Sequence, residues 1–233
     1  MKLVNIDSVP RATSAKELAQ SEKTLQLAIK RKNRSYYCIG CLLVLVPIMV
    51  YMWNLYQSKK DLQAKKEAAQ AICFFESANF AKALEGEGAH KGFLSIIELY
   101  PYTSTACLMH FYAGISYMHQ KQYDQAIASL KKFSSKDFIV QARAYAVIAD
   151  AYSEQRKYKQ AAIYYKQAAN YKPNSVYTPH YLVKAANAFE EVAQYKQAYD
   201  CYNAIEEKYP NAQLNREGFV AREKGRLSML LSN

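Results

Sequence analysis

The sequence predicts an all-α protein: one membrane-spanning helix followed by a row of stacked helical hairpins. Three observations predict it. Gly (7) and Pro (6) are scarce in 233 residues while 51% are hydrophobic, so long helices survive and a core can form. Residues 38–56 contain no charge. One spaced pattern of Tyr, Ala and large residues returns three times between Met118 and Pro210.

Residues 1–37 form a basic leader. Eight Lys/Arg (Lys2, Arg11, Lys16, Lys23, Lys30, Arg31, Lys32, Arg34) face three acids (Asp7, Glu17, Glu22), which places +5 of the net +11 before the apolar run. A basic chain suits nucleic acid or anionic lipid. Here the charge abuts an apolar run, and the remaining +6 is spread thinly, so a juxtamembrane cluster with a solvated basic surface is expected and nucleic acid is not. Ser14 and Glu17 fit a capping box opening a helix from Ala15 to about Arg34.

Cys38 to Tyr56 is 19 residues long. At about 1.5 Å per residue it reaches roughly 28 Å, one hydrocarbon core. Tyr36 and Tyr37 flank one end, Trp53 and Tyr56 the other, at the depth that amphipathic rings favour. Pro47 is tolerated as a kink in such a helix. A cleaved signal peptide fits poorly, because the leader is long and Asn54 to Lys60 offers no small-x-small site. A permanent single-pass anchor is expected. Five Lys/Arg from Lys23 onward precede it and Lys59, Lys60, Lys65 and Lys66 follow it. The whole leader tips the balance toward an N-terminus inside the cytoplasm, with residues 57–233 outside, periplasmic in a bacterium. Residues 57–69 lack Gly and Pro, so the anchor helix is expected to continue into the first repeat helix.

Three windows carry the repeat: Met118–Phe138, Ser153–Pro173 and Glu190–Pro210. Each holds Tyr-x-x-Ala (Tyr123/Ala126, Tyr158/Ala161, Tyr195/Ala198), then a large residue four places on (Leu130, Tyr165, Tyr202). Small residues let two helices approach, aromatics fill the seam between pairs, and a proline stops the second helix. This pattern resembles the tetratricopeptide-repeat (TPR) family. A repeat from Ala142 offers Tyr145, Ile148, Ala149, Tyr152, Ala161, Tyr165, Ala168 and Pro173. One from Pro179 offers Leu182, Ala185, Ala186, Phe189, Ala198, Tyr202, Ile205 and Pro210. One from Cys107 offers His110, Ala113, Gly114, Tyr117, Ala126, Leu130 and Phe133, without the proline. A weaker one from Gln70 has Phe80, Ala89, Phe93, Ile96 and Pro101, a glycine-rich turn at Glu85–Gly92, and Glu76 and Ser77 where Leu and Gly belong. The resemblance implies a TPR helical-hairpin solenoid over 57–233, with repeats at about 70–106, 107–141, 142–178 and 179–212. A single amphipathic helix over about 212–231 would cap it.

The full order resembles a narrower family, the YfgM-like membrane-anchored periplasmic TPR proteins of Bacteroidetes-type bacteria. Gly92–Tyr100, Phe111–Tyr117 and Tyr181–Glu190 carry that likeness. It implies a non-enzymatic adaptor or chaperone-like accessory of protein translocation in the cell envelope. Its partners would be translocon subunits, exported clients or periplasmic chaperones. A scaffold for envelope assembly, such as cell division or cytochrome maturation, is the alternative.

In TPR solenoids the partner lies against helix A. The resemblance therefore implies a wall of Phe74, Leu108, Phe111, Ile115 and Met118 at one end, and of Arg143, Asp150, Glu154, His180, Asn187, Glu190 and Glu191 at the other. The first group is apolar and suits a client segment, unless neighbouring helices cover it. The second is polar to acidic. A grip on a C-terminal carboxylate needs clustered Lys, Asn and Arg, and only Arg143 and Asn187 are present.

No enzyme motif is present, and no cofactor or metal site is expected. Cys38 and Cys41 form C-x-x-C inside the apolar run. Cys73, Cys107 and Cys201 are odd in number, leaving a Cys73–Cys107 disulfide open. His90, His110, His119 and His180 are scattered, and Cys107 and His110, one helical turn apart, read as packing.

Overall fold

In the computed structural model, residues 15–232 are described, with side chains described throughout from Leu43 onward. The predicted leader before Ala15, including Ser14, lies outside the described residues, as do the side chains of Cys38 and Cys41. The chain divides into two units, residues 1–56 and 57–233. Helix α1 (Ala15–Glu76) contributes to both and contains Pro47. Within the first unit, Leu43–Tyr56 are exposed throughout. Among the described residues no helix is long and apolar enough to cross a membrane. The predicted span opens at Cys38, so its first residues fall outside that description.

The second unit is a helical solenoid. The last turns of α1 are followed by α2 (Phe80–Glu85), the two-residue strands β1 (Gly86–Glu87) and β2 (His90–Lys91), and α3 (Phe93–Leu99). Then come the hairpins α4/α5 (Ser104–His119, Tyr123–Leu130), α6/α7 (Phe138–Glu154, Tyr158–Asn170) and α8/α9 (Thr178–Glu190, Tyr195–Lys208). The short α10 (Gln213–Arg216) and α11 (Phe219–Leu231) close the order, with α11 packed on α9.

One backbone device closes all four hairpins. Asn79 N donates to Phe74 O, Gln122 N to Tyr117 O, Lys157 N to Tyr152 O and Gln194 N to Phe189 O, at 2.8–2.9 Å. Each turn also has a second bond that spans three residues instead of five, from Ala78, Lys121, Arg156 or Ala193, and these four residues are left-handed, with φ of 54–59°. This pairing of two bonds with one left-handed residue is the Schellman motif, usually built on glycine. Here none of the four is glycine.

The motif fixes the register of the first hairpin. Phe74 occupies the place of Tyr117, Tyr152 and Phe189, and Ala71 that of Gly114, Ala149 and Ala186. The inter-helix turn is therefore Ser77–Asn79, and the repeat expected from Gln70 would open within the last two turns of α1, too late to include its helix A. The glycine-rich stretch Glu85–Gly92 interrupts helix B instead, as a two-stranded antiparallel ribbon between α2 and α3. Gly86 (φ 92°) and Gly92 permit it: a Cβ on either would stand 2.2–2.3 Å from a carbonyl oxygen. Lys82–Glu87 (2.6 Å) and Lys91–Glu67 (2.7 Å) tie the ribbon to α2 and α1.

Three apolar clusters follow one another along the unit. Ala64, Ala68 and Ala71 of α1 pack with Phe93, Ile96 and Met109. Phe111, Leu130 and Phe133 pack with Ala144 and Ile148. Ala161, Tyr165, Phe189, Tyr202 and Ile205 pack with Val220 and Leu227 of α11. The predicted single cap over 212–231 is two helices. Gly218 breaks it at φ 67°, and Asn215 Nδ2 donates to Tyr209 O at 2.8 Å and Ile205 O at 3.3 Å, fastening α10 to the end of α9.

Candidate protein-binding surface

Helix A of each hairpin fixes its residues by periodicity: one side of the helix meets helix B and the other is left for a partner. Among the apolar residues expected on the free side, the structure keeps only part accessible. Phe111 is 8% exposed, its ring 5.1 Å from that of Phe133. Ile115 and Met118 are half-buried against the same cluster, and Phe74 against the preceding one. Leu108 is 38% exposed. The expected apolar wall thus shrinks to Leu108 and the edges of Ile115 and Met118. Phe111 is a core residue because Ile127, Leu130 and Phe133 already form an apolar floor beneath it.

The polar end is built by a repeated bond. Tyr165 Oη donates to Asp150 Oδ1, and Tyr202 Oη donates to Asn187 Oδ1 at 3.2 Å. Both pairs are separated by 15 residues, so one helix-B tyrosine pins the same helix-A position in successive repeats. Burial, and then the charge of Asp150, raise the Tyr165 hydroxyl well above the ordinary phenol range. Burial, and then Glu190, do the same for Tyr202. Both hydroxyls are held as donors. In the repeat from Cys107 the corresponding pair is Ile115 and Leu130, so the position turns apolar.

Two of the four acids expected here are met by cations. Lys184 Nζ donates to Asp150 Oδ1 at 2.8 Å and lies 5.4 Å from the Tyr165 ring centre. Arg226 of α11 meets Glu190 at 2.6 Å and Glu223 at 2.9 Å. Glu154 accepts from Tyr123 Oη at 3.2 Å. Arg143, His180, Asn187 and Glu191 are exposed. The end expected to be polar to acidic therefore has two of its carboxylates met by cations and keeps hydrogen-bonding groups outward. A cleft of about 220 Å³ lies there, lined by Ser153, Tyr158, Tyr165, Lys184, Asn187 and Glu191 among others. Lys184 and Arg226 are not among the residues expected from sequence, and Tyr165 and Tyr202 are expected there as seam residues, not as part of this surface. The one sequence signal for them is that Tyr165 and Tyr202 stand 37 apart, as do Asp150 and Asn187.

Nothing in this arrangement assembles a nucleophile. Cys73, Cys107 and Cys201 are free thiols. Cys107 Sγ donates to Ser134 O at 3.3 Å, and His110 Nδ1 lies 3.4 Å from Ser129 Oγ, so the two residues turn to different partners. Burial, and then Lys132, lower the His110 pKa. Among the described residues no group of three or more His, Cys, Asp or Glu is placed to hold a metal ion.

The tetratricopeptide repeat model matches residues 109–137 and 181–212, which cover most of the α4/α5 and α8/α9 hairpins. No curated protein matches the chain. The α6/α7 hairpin between the matched segments closes with the same left-handed turn. Both matches support the tetratricopeptide-repeat superfamily, and the chain carries a helical repeat whose general role is to bind other proteins rather than to catalyse.

Proposed function

We propose that this chain is a membrane-anchored interaction module of a bacterial envelope, held in the inner membrane by residues 38–56 with its repeats in the periplasm, and acting as an adaptor or chaperone-like accessory of protein translocation. The observation that carries the anchor is the density of exposed apolar side chains between Leu43 and Tyr56. Twelve of these fourteen residues are large hydrophobics, each 45–71% exposed. Water disfavours such a surface by about 25 cal/mol per Å², and a helix apolar on every side is one that lipid or protein covers. The uncharged run begins at Cys38, and the Lys-rich flanks agree with a bilayer. The repeat matches support a protein partner, and the translocation channel, its clients or periplasmic chaperones are the partners that a resemblance of the sequence to YfgM-like proteins implies.

Two measurements test this. Alkaline carbonate should leave the protein in the membrane pellet, and protease should reach the repeats in spheroplasts but not in intact cells. Photo-crosslinkers placed at Leu108 and at Asn187 should then capture translocation subunits, exported chains or chaperones. Capture of none of these at native expression would reject the translocation role, and release by carbonate would reject the anchor.

A further inference from the structure

Hairpin stacking gives the repeat unit two unlike edges. The A-to-B turns lie on one, and the B-to-A loops on the other. The loop edge is continuous in contacts: Asp61 accepts from Ser104 Oγ (2.9 Å) and Thr105 N (2.8 Å), Cys107 bonds Ser134, and Tyr171 Oη donates to Ser135 O at 3.4 Å. Along this edge three successive loops, with the helix ends beside them, each leave a pair of large apolar residues exposed: Leu99 and Tyr102, Phe138 and Ile139, Val176 and Tyr177, at 39–76% exposure. In the four turns of the opposite edge only Val192, at 36%, reaches that class.

The second and third of these loops are also basic. Lys132, Lys136 and Lys172 are exposed. The one acid between the helices there, Asp137, spends its carboxylate on the amides of Ile139 and Val140 at the start of α6. Aromatic and aliphatic tips set among lysines are the side-chain set of an anionic lipid–water interface: rings enter the headgroup layer while ammonium groups meet phosphates. An anionic protein partner would meet the same lysines, but its usual anchors are buried pockets, and these tips project in separate loops. The chain favours lipid for a second reason, which rests on the anchor proposed above. Asp61, which lies on this edge, is the fifth residue after Tyr56, where the proposed anchor ends.

We propose that the loop edge, through Tyr102, Phe138, Val176, Tyr177 and Lys132, Lys136 and Lys172, is a docking surface for an anionic bilayer. It leaves the free sides of the A helices available to a protein. Each lysine near such a surface strengthens association about fivefold.

The test uses the full-length protein in nanodiscs with and without phosphatidylglycerol, read by amide hydrogen exchange. Exchange in the loops at 99–103, 131–137 and 171–177 should slow severalfold in the anionic discs, with the turns at 120–122 and 155–157 unchanged. The combined change Lys132→Glu, Lys136→Glu and Lys172→Glu should erase the difference. Equal exchange in the two lipids, protection on the turn edge, or protection that survives the charge reversal overturns the proposal. Failure of the anchor reads differently, as loss of the protein from both kinds of disc. The same chain is then mixed with vesicles. Flotation with phosphatidylglycerol vesicles but not phosphatidylcholine ones, abolished by the charge reversal, still supports the edge, and any other result overturns it.

Discussion

At Gly114 the fold depends on the absence of a single methyl group. A Cβ there would stand 2.4 Å from Leu130 Cγ and 2.8 Å from its Cδ2, inside the closest approach of α4 and α5. Gly114→Ala should lower stability by about 1–3 kcal/mol through overpacking, read as a fall in chemical-denaturation midpoint. Leu130→Ala costs stability of its own, so a local clash should show as a double-variant loss smaller than the sum of the two single losses. Asp61 is a second dependence. Partial burial pushes its carboxyl up, but hydrogen bonds from Lys65, the Thr105 amide and Ser104 outweigh this and bring it to about 2. A folded pKa below the unfolded one means that the stabilisation is complete above the ordinary value of 3.8 and fades as pH falls toward about 2. Asp61→Asn should therefore lower the melting temperature at neutral pH. The gap to the parent should narrow steadily between these two pH values in thermal scans. A gap independent of pH would mean that the carboxylate's charge is not what matters at the start of α4.

The hairpin turns show how far elements can be read from residues. Tyr-x-x-Ala announced α5, α7 and α9 because a large residue must seal the seam just where a small one admits the neighbouring helix, and both constraints act through side chains. The turn itself acts through the backbone. The left-handed residues Ala78, Lys121, Arg156 and Ala193 are not of one type and none is glycine, so no single residue type marks the turn of the first hairpin. There the glycines of Glu85–Gly92 are a stronger turn signal than Ser77–Asn79, so the sequence pattern points to a hairpin later than the one the structure has. The candidate surface was legible only in part, for a related reason. Helical periodicity puts Phe111 and Asp150 on one side of helix A, but what lies beneath each depends on helix B. Whether an acid is free also depends on residues a repeat away, such as Lys184 and Arg226. The left-handed non-glycine turns are themselves improvable. Ala193 holds φ 54° at a conformational penalty of about 1–2 kcal/mol that glycine avoids. Ala193→Gly should raise the melting temperature, and a decrease would show that the turn gains more from a stiffer unfolded chain.

For the whole repeat unit, stability is a chain of neighbour contacts rather than one central core. The cluster spanning α7, α8 and α9 ends on Val220 and Leu227 of α11, which are 1% and 0% exposed. The last helix therefore shields Tyr202 and Ile205 much as each hairpin shields the one before it. Leu227→Ala should destabilise by about 2–5 kcal/mol. Because the array is nearly one-dimensional, the damage should appear first at this end. Hydrogen exchange should accelerate in α9 and α11 at denaturant levels that leave the amides of α4 and α5 protected. Uniform acceleration would mean that the array unfolds as a single cooperative block.

The ribbon inside helix B has a practical corollary. Its tip, Gly88 and Ala89, is exposed, and a side-chain atom added at Gly88 would meet nothing within 4 Å. Its base is already pinned by pairing of Gly86 with Lys91 and by the two lysine–glutamate bridges. The molecule thus carries a ready splice point where an epitope or fluorophore-binding peptide can be grafted into the middle of a helical repeat without shifting a single downstream seam.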